Sequence, residues 1–289
     1  QSEFSNSVRD SLKQFAFEND LSFYNLREHQ GLFRNLIVRN TNLGETMVLV
    51  SFGENNKEQI ERVMDHLKAT YPEITSLQYV INEKKNDTIY DLDIQLYAGK
   101  DFITEEMEGL KFKIGAKSFF QTNSTQALKL YEIARDFANI SDSDVVYDLY
   151  TGTGTIANFV ARSAKKVVGV ESVPEAIEDA KVNSRENGIS NTTFYAGDMK
   201  DILNQEFFIE NGQPDVIITD PPRAGMHPKV VSNVLNSGAK TIVYVSCNAA
   251  SQARDLQLLD EKYRVTRVQP VDMFPHTHHV ENVALLELK

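Results

Sequence analysis

Cysteine is nearly missing from this chain: Cys247 stands alone in 289 residues. A single thiol excludes an internal disulfide framework and any cysteine-rich metal or iron–sulfur site within the chain, and it makes a reducing, cytoplasmic compartment the expectation. No apolar run approaches the roughly 18–20 residues that span a bilayer, so no membrane partner is expected. The opening stretch, Gln1 to Lys13, is too polar for a signal peptide. The chain starts at Gln1 instead of methionine, as a piece of a longer protein would. Positive charge is scarce too: 30 Lys and Arg against 41 Asp and Glu leave a net charge of −11. That argues against loose, charge-driven binding of nucleic acid, whose footprint is a basic domain. Local basic groups remain at Arg27, Arg34 and Arg39 and at Lys111, Lys113 and Lys117. The plain reading of such scattered charges is a solvated face.

What is present is ordinary for a globular protein: 41% hydrophobic and 25% charged residues, with no internal repeat. The first third reads as a small α+β domain, residues 1–115. Val8, Leu12 and Phe15 recur at helical spacing behind a cap at Ser5 or Ser7. Strand-like runs cover Leu32–Arg39, Thr46–Phe52, Leu77–Ile81, Ile89–Leu96 and Leu110–Ile114, and Ile60, Val63, Met64 and Leu67 mark a helix face. Residues 116–289 alternate strand and helix, which implies a mostly parallel sheet covered on both faces. Its strands are expected at Val145–Tyr150, Lys166–Glu171, Thr193–Ala196, Val216–Thr219 and Thr241–Val245. Two closing strands, Tyr263–Val271 and Val280–Leu288, have no helix between them, so one runs antiparallel.

Chemistry concentrates where these strands end. Asp148-Leu-Tyr-Thr-Gly-Thr-Gly-Thr places Gly152 and Gly154 directly after a strand, letting the backbone turn tightly beside a ligand. Glu171 closes the next strand, where a carboxylate can accept both ribose hydroxyls, and Asp198 follows the one after. A dinucleotide or S-adenosylmethionine would fit such a loop. The missing third glycine and the anion of Asp148 disfavour a pyrophosphate, whereas carboxylates favour a cationic sulfonium. The plain alternative is that Glu171 only caps the following helix. Asp220-Pro-Pro then stiffens the end of Val216–Ile218 and holds Asp220 with little freedom. Arg223 follows, where enzymes that methylate amino groups usually carry a stacking aromatic. Cys247 ends the strand Thr241–Val245, at the edge where an open α/β sheet presents its chemistry; the plain alternative is a small buried hydrophobe. His276, His278 and His279 fit no metal spacing and read as a pocket-shaping loop.

Five motifs together resemble the RNA uracil-5-methyltransferase family, which makes 5-methyluridine in ribosomal or transfer RNA. They are Phe119-Phe-Gln-Thr-Asn123, Asp148-Leu-Tyr-Thr-Gly-Thr-Gly-Thr155, Asp220-Pro-Pro-Arg-Ala-Gly225, Val245-Ser-Cys-Asn248 and His276-Thr-His-His-Val-Glu281. The resemblance runs through essentially the whole chain. It implies a smaller α+β domain in contact with RNA, followed by a Rossmann-like, S-adenosylmethionine-dependent methyltransferase domain with a seven-stranded, mostly parallel sheet. By the same resemblance Cys247 is the nucleophile, Glu281 the proton acceptor and Asp220 a group beside the target uracil. Gln121, Tyr150, Thr155, Glu171 and Asp220 match cofactor positions, and Asp198 joins them from the strand pattern. Phe119 and Arg223 face the substrate. Members usually carry an oligonucleotide-binding barrel ahead of the central domain, which this chain lacks, and some hold an iron–sulfur cluster, for which it has no cysteines. Tyr150-Thr-Gly152 also replaces a frequent Tyr-Cys-Gly.

The residue types suit that reaction. Carbon 5 of uracil attacks a methyl sulfonium only after a thiolate has added to carbon 6, and cysteine supplies thiolate and later leaves readily. A carboxylate then removes the carbon 5 proton. The target base must be flipped out of its stack. The expectation is therefore a monomeric RNA uridine C5-methyltransferase using S-adenosylmethionine, with 23S ribosomal RNA favoured over the T-loop of transfer RNA and no metal. An NAD-dependent oxidoreductase and a catalytically idle RNA-binding module are the alternatives.

Overall fold

Ser2 starts the first helix, α1 (Glu3–Glu18): its hydroxyl accepts the Ser5 N–H at 3.1 Å, ahead of the Ser5 or Ser7 cap expected from sequence. The computed structural model describes residues 2–289. Val8, Leu12 and Ala16 form the buried stripe of α1, so Phe15 lies beside the stripe instead of in it. β1 (Phe33–Asn40) and β2 (Thr46–Phe52) pair antiparallel, and α2 (Lys57–Thr70) crosses over to β3 (Ser76–Ile81), parallel to β2. β4 (Gln95–Gly99) completes the sheet β1-β2-β3-β4. β5 (Phe102–Met107) and β6 (Leu110–Gly115) form a separate two-stranded sheet. The chain divides into two units here, Gln1–Glu106 with Lys113–Lys117, and Met107–Phe112 with Ser118–Lys289.

The expected strand Ile89–Leu96 is mostly loop; only its last residues join β4. Arg34 explains why. Its guanidinium is 1% exposed and donates to the carbonyls of Asn82, Lys84 and Asn86 while pairing with Asp87, which commits that backbone to a turn. Arg34 therefore belongs to the fold and not to a solvated basic face.

The second unit begins with α3 (Ser124–Ala138), capped by Asn123, and continues as β7 (Val145–Leu149), α4 (Thr155–Ala161), β8 (Lys166–Glu171), α5 (Pro174–Glu186) and β9 (Thr192–Ala196). Two short helices follow, α6 (Met199–Ile202) and α7 (Gln205–Asn211), then β10 (Val216–Thr219), α8 (Pro228–Leu235), β11 (Thr241–Ser246) and α9 (Ala249–Leu259). β12 (Tyr263–Val271) and β13 (Glu281–Leu288) end the chain. The sheet order is β12-β13-β11-β10-β7-β8-β9, parallel from β11 to β9. β13 is the reversed strand, antiparallel to both β11 and β12. One apolar layer on each face covers the sheet: Leu130, Ala134 and Phe159 pack with Val243 and Val283 on one side, and Phe207, Val230 and Leu259 pack with Ile217 and Tyr244 on the other. Burial on both faces makes the inner strands continuous apolar runs instead of alternating ones.

Candidate active site

In a parallel sheet every strand delivers its carboxyl end to the same edge, and here the chain order reverses between β7 and β10, where α/β folds bind ligands. β7 leads into Tyr150, β8 ends at Glu171, β10 ends at Thr219 just before Asp220, and β11 ends at Ser246 just before Cys247. Reversal of β13 brings its amino end to that edge as well. Ser246 pairs with Asn282, so Cys247 and Glu281 flank the last rung of the β11–β13 ladder. Glu281, 34 positions downstream of Cys247, meets the thiol only because one strand is turned round.

The thiol is half-buried and its ionisation lies above the ordinary value. Burial is the main cause and the Glu281 charge adds to it, while the Arg223 guanidinium against the sulfur pulls the other way. Glu281 is 9% exposed and burial raises its carboxyl too, opposed by Arg223. Asp220 is half-buried, and its carboxyl is pushed up to about 8 by burial, Glu281 and Asp148 in that order. Asp148 is fully buried and pushed up to about 7, chiefly by burial. One of its oxygens accepts from Thr151 Oγ1 at 2.5 Å and from Ala157 N–H at 2.9 Å, and the other, Oδ1, has no partner. Its charge at neutral pH is partial, so repulsion of a pyrophosphate by Asp148 is a weaker argument than the sequence suggested.

The glycine loop is built for close packing as well as for a ligand. Gly154 has φ +76°, and a Cβ there would lie 2.8 Å from the Ala180 side chain, so a larger residue would push α5 away. Tyr150 holds φ +63° without being glycine, a strain of about 1 kcal/mol that strand ends at binding sites tolerate. Glu171 accepts from Gly152 N–H at 3.2 Å and from the Ser172 and Val173 N–H groups, so it braces the loop and the start of α5 together. Asp198 caps α6 and pairs with Lys200 at 2.6 Å. Gln121 is half-buried and Thr155 is 8% exposed at the first turn of α4. Phe119 is 66% exposed, an aromatic face open to a partner. The histidine loop runs exposed ahead of Glu281, with the His278 and His279 rings 4.3 Å apart.

Four residues support the site, and of these Asp255 and Gln252 escaped the sequence reading. Asp255, fully buried on α9, accepts from Met226 N–H and from the Tyr244 hydroxyl and so fixes the loop after Asp220. Gly225 must be glycine beside it, because a Cβ would sit 2.6 Å from the Asp255 carboxylate. Asn248 donates to the Arg223 carbonyl, tying the loops of Cys247 and Arg223. Gln252 donates to the carbonyls of Tyr244 and Asn282, locking β11 to β13 behind the thiol. A signal for Asp255 existed: an acid four residues after Ser251 and four before Leu259, on the buried side of α9. Two cavities in the first unit, one lined by Leu12, Phe23 and Phe33 and one by Tyr79 and Tyr97, contain none of the candidate site residues. Among the described residues no cluster of His, Cys, Asp and Glu is arranged to hold a metal, and no helix is long and apolar enough to cross a membrane.

The raised carboxyls have a measurable consequence. Their folded values lie above the unfolded one near 4, so their contribution to stability is complete below about pH 4 and is lost as pH rises through 7 to 8. Between pH 5 and 8.5 the melting temperature should fall roughly 5 °C further in the wild type than in Asp220→Asn. Parallel curves would mean that Asp220 ionises normally.

The fold and strand-end site are those of an α/β methyltransferase. A family profile described as tRNA (uracil-5-)-methyltransferase matches residues 92–289, and the chain belongs to that family. An uncharacterized RNA methyltransferase of Bacteroides thetaiotaomicron is 60% identical, aligned over 100% of this chain and 64% of its own length. Another from Porphyromonas gingivalis is 56% identical, over 98% and 62%. The chain thus spans less than two thirds of these relatives. Among solved structures, the tRNA (uracil-54, C5)-methyltransferase of Pyrococcus abyssi, in complex with S-adenosyl-L-homocysteine, matches with a TM-score of 0.79 at 33% identity, covering 96% of this chain and 65% of that one.

Proposed function

We propose that the protein methylates carbon 5 of a uridine in RNA, with S-adenosylmethionine as methyl donor and Cys247 as covalent catalyst. The observation that carries this reading is a thiol, a carboxyl and a guanidinium at one end of one strand pair: Cys247 and Glu281 flank the Ser246–Asn282 rung, and Arg223 acts on both. The donor fits the residues present. Asp148, Glu171, Asp198 and Asp220 suit a cation, the Asp148 Oδ1 atom lacks a partner, and Gln121, Tyr150 and Thr155 add polar groups. When bound, S-adenosylmethionine supplies a methyl group activated by a cationic sulfur.

The chain's own residues do the rest. Arg223 favours the thiolate of Cys247, which bonds to carbon 6 of the flipped base. The electron pair of the 5,6 double bond moves toward carbon 5 and the adjacent carbonyl, making carbon 5 nucleophilic toward the methyl group. Glu281 takes the proton from carbon 5, the sulfur–carbon 6 bond breaks, and the double bond and thiolate are restored. Asp220 faces the polar edge of the ring, and Phe119 offers a stacking surface.

Ribosomal RNA is the substrate that the sequence resemblance favours, and the name of the Pyrococcus neighbour supports transfer RNA as the second reading. Labelled methyl donor incubated with unmodified RNA of each class, followed by nucleoside analysis, distinguishes them. The expected product is 5-methyluridine in ribosomal RNA; label in transfer RNA alone would transfer the proposal to the second class, and no 5-methyluridine in either would refute it. The basic residues near residue 115 join this reading. Replacing Lys111, Lys113 and Lys117 together with Glu should weaken RNA binding at least tenfold and lower the salt slope by about 2. An unchanged slope would remove them from the RNA surface.

A further inference from the structure

Residues 118–123, just ahead of α3, belong to no helix or strand, yet they carry two candidate site residues, Phe119 and Gln121. The segment is anchored along its length. At its start Ser118, 8% exposed, donates its hydroxyl to an Asp179 carboxylate oxygen at 2.7 Å. The Phe120 ring packs against the apolar layer, 6.0 Å from the Phe112 ring. At its end Asn123 donates to the Met273 carbonyl at 2.9 Å and caps α3. Ser118 and Phe120 turn inward and Phe119 between them turns outward, the alternation of an extended chain. Asp179 sits on α5, the helix that also holds the glycine loop. Ala180 packs on Gly154, and Asn183, fully buried, donates to the Thr153 carbonyl at 3.0 Å. Residues four apart share one face of a helix. One face of α5 therefore fastens the donor loop through Asn183 and the Phe119–Gln121 segment through Asp179. Burial raises the ionisation of the half-buried Asp179 carboxyl, and the Ser118 hydroxyl is what opposes it.

We propose that Asp179 is a positioning residue: by accepting the Ser118 hydroxyl it sets Phe119 and Gln121 in register with the glycine loop that its own helix holds. The inference rests on the methyl-transfer reading, in which Gln121 meets the donor and Phe119 the flipped base. Cys247 and Glu281 hang on β11 and β13 and not on this segment, so the bond governs binding more than the bond-making steps. A purely structural role predicts a lower melting temperature and no change in how either ligand is held.

The test compares Ser118→Ala, Asp179→Ala, the double alanine variant and Asp179→Asn in the full chain. Binding of S-adenosylmethionine, read by calorimetry without RNA, should weaken about five- to tenfold in each alanine variant. The double variant should be no weaker than either single one, because all three lose the same bond. Asp179→Asn keeps an acceptor oxygen for Ser118, so its affinity should return to within about twofold of wild type. In methyl transfer the KM for RNA should rise about as much as the donor Kd, while kcat stays within about threefold. Unchanged donor affinity in the alanine variants would overturn the proposal, whatever their melting temperatures. Losses that add in the double variant, or an Asp179→Asn protein as weak as Asp179→Ala, would overturn it too. A wild type that binds the donor but methylates no RNA would defeat the functional reading alone, and donor affinity would still decide the role of Asp179. A wild type that binds no donor would overturn both.

Discussion

Cys247→Ala should leave the fold and donor binding intact and lower methyl transfer by about 10⁴-fold or more, the scale on which removal of an attacking nucleophile acts. The structure gives two reasons to expect an effect confined to chemistry. Cys247 lies one residue beyond β11 and is only half-buried, so the loss of one sulfur leaves no deep cavity. The residues that lock the strand end are others: Gln252 bridges β11 and β13, and Asn248 and Ser251 hold the Arg223 carbonyl. Quench-flow or end-point labelling checks the rate, and a melting curve checks the fold. Residual turnover within tenfold of wild type would rule out covalent catalysis by this thiol.

The second large effect is expected at Glu281. Glu281→Gln keeps the shape of the side chain and removes the base, so the carbon 5 proton cannot leave and turnover should fall by about 10²–10⁴-fold. Addition and methyl transfer remain possible, so a covalent protein–RNA species should accumulate on ordinary uridine and survive denaturation. An independent sign comes from the thiol. The Glu281 charge helps hold Cys247 above its ordinary ionisation, so its removal should make the thiol ionise at lower pH. Alkylation of Cys247 near pH 7.5 should therefore be several-fold faster in Glu281→Gln than in wild type. Slower alkylation would mean that Glu281 acts on the thiol by packing and not by charge.

Several strand ends were legible in sequence because turn-forming residues follow apolar runs there. Lys166–Glu171 and Val216–Thr219 were read with the bounds they have in the structure, since strands buried on both faces are uninterrupted and end abruptly at Ser172 or at Asp220-Pro-Pro. Other elements were hidden for physical reasons. β5 carries Glu105 at 2% exposure, a residue that reads as solvent-facing until the Asn42 N–H that it accepts is known. α6 and α7 are too short for a periodic stripe and depend on caps at Asp198 and Asn204. Ile89 to Ile94 has the apolar spacing of a strand, but Arg34 claims the neighbouring carbonyls for a loop. In the site, glycine and proline motifs marked the strand ends, whereas Asp255 and Gln252 gave little sign of their roles. Each looks like a helix residue until the sheet order shows which strands its helix covers.

The central claim is a covalent bond between Cys247 and a uracil in RNA, and one measurement addresses it directly. The protein is incubated with S-adenosylmethionine and RNA containing 5-fluorouridine, denatured, and digested, and the cross-linked peptide is read by mass spectrometry. Fluorine cannot leave as a proton does, so the account predicts a stable adduct carrying one added methyl group, mapped to the peptide containing Cys247 and absent from Cys247→Ala. Binding of both RNA and donor without any adduct, or an adduct mapped to another residue, would contradict it.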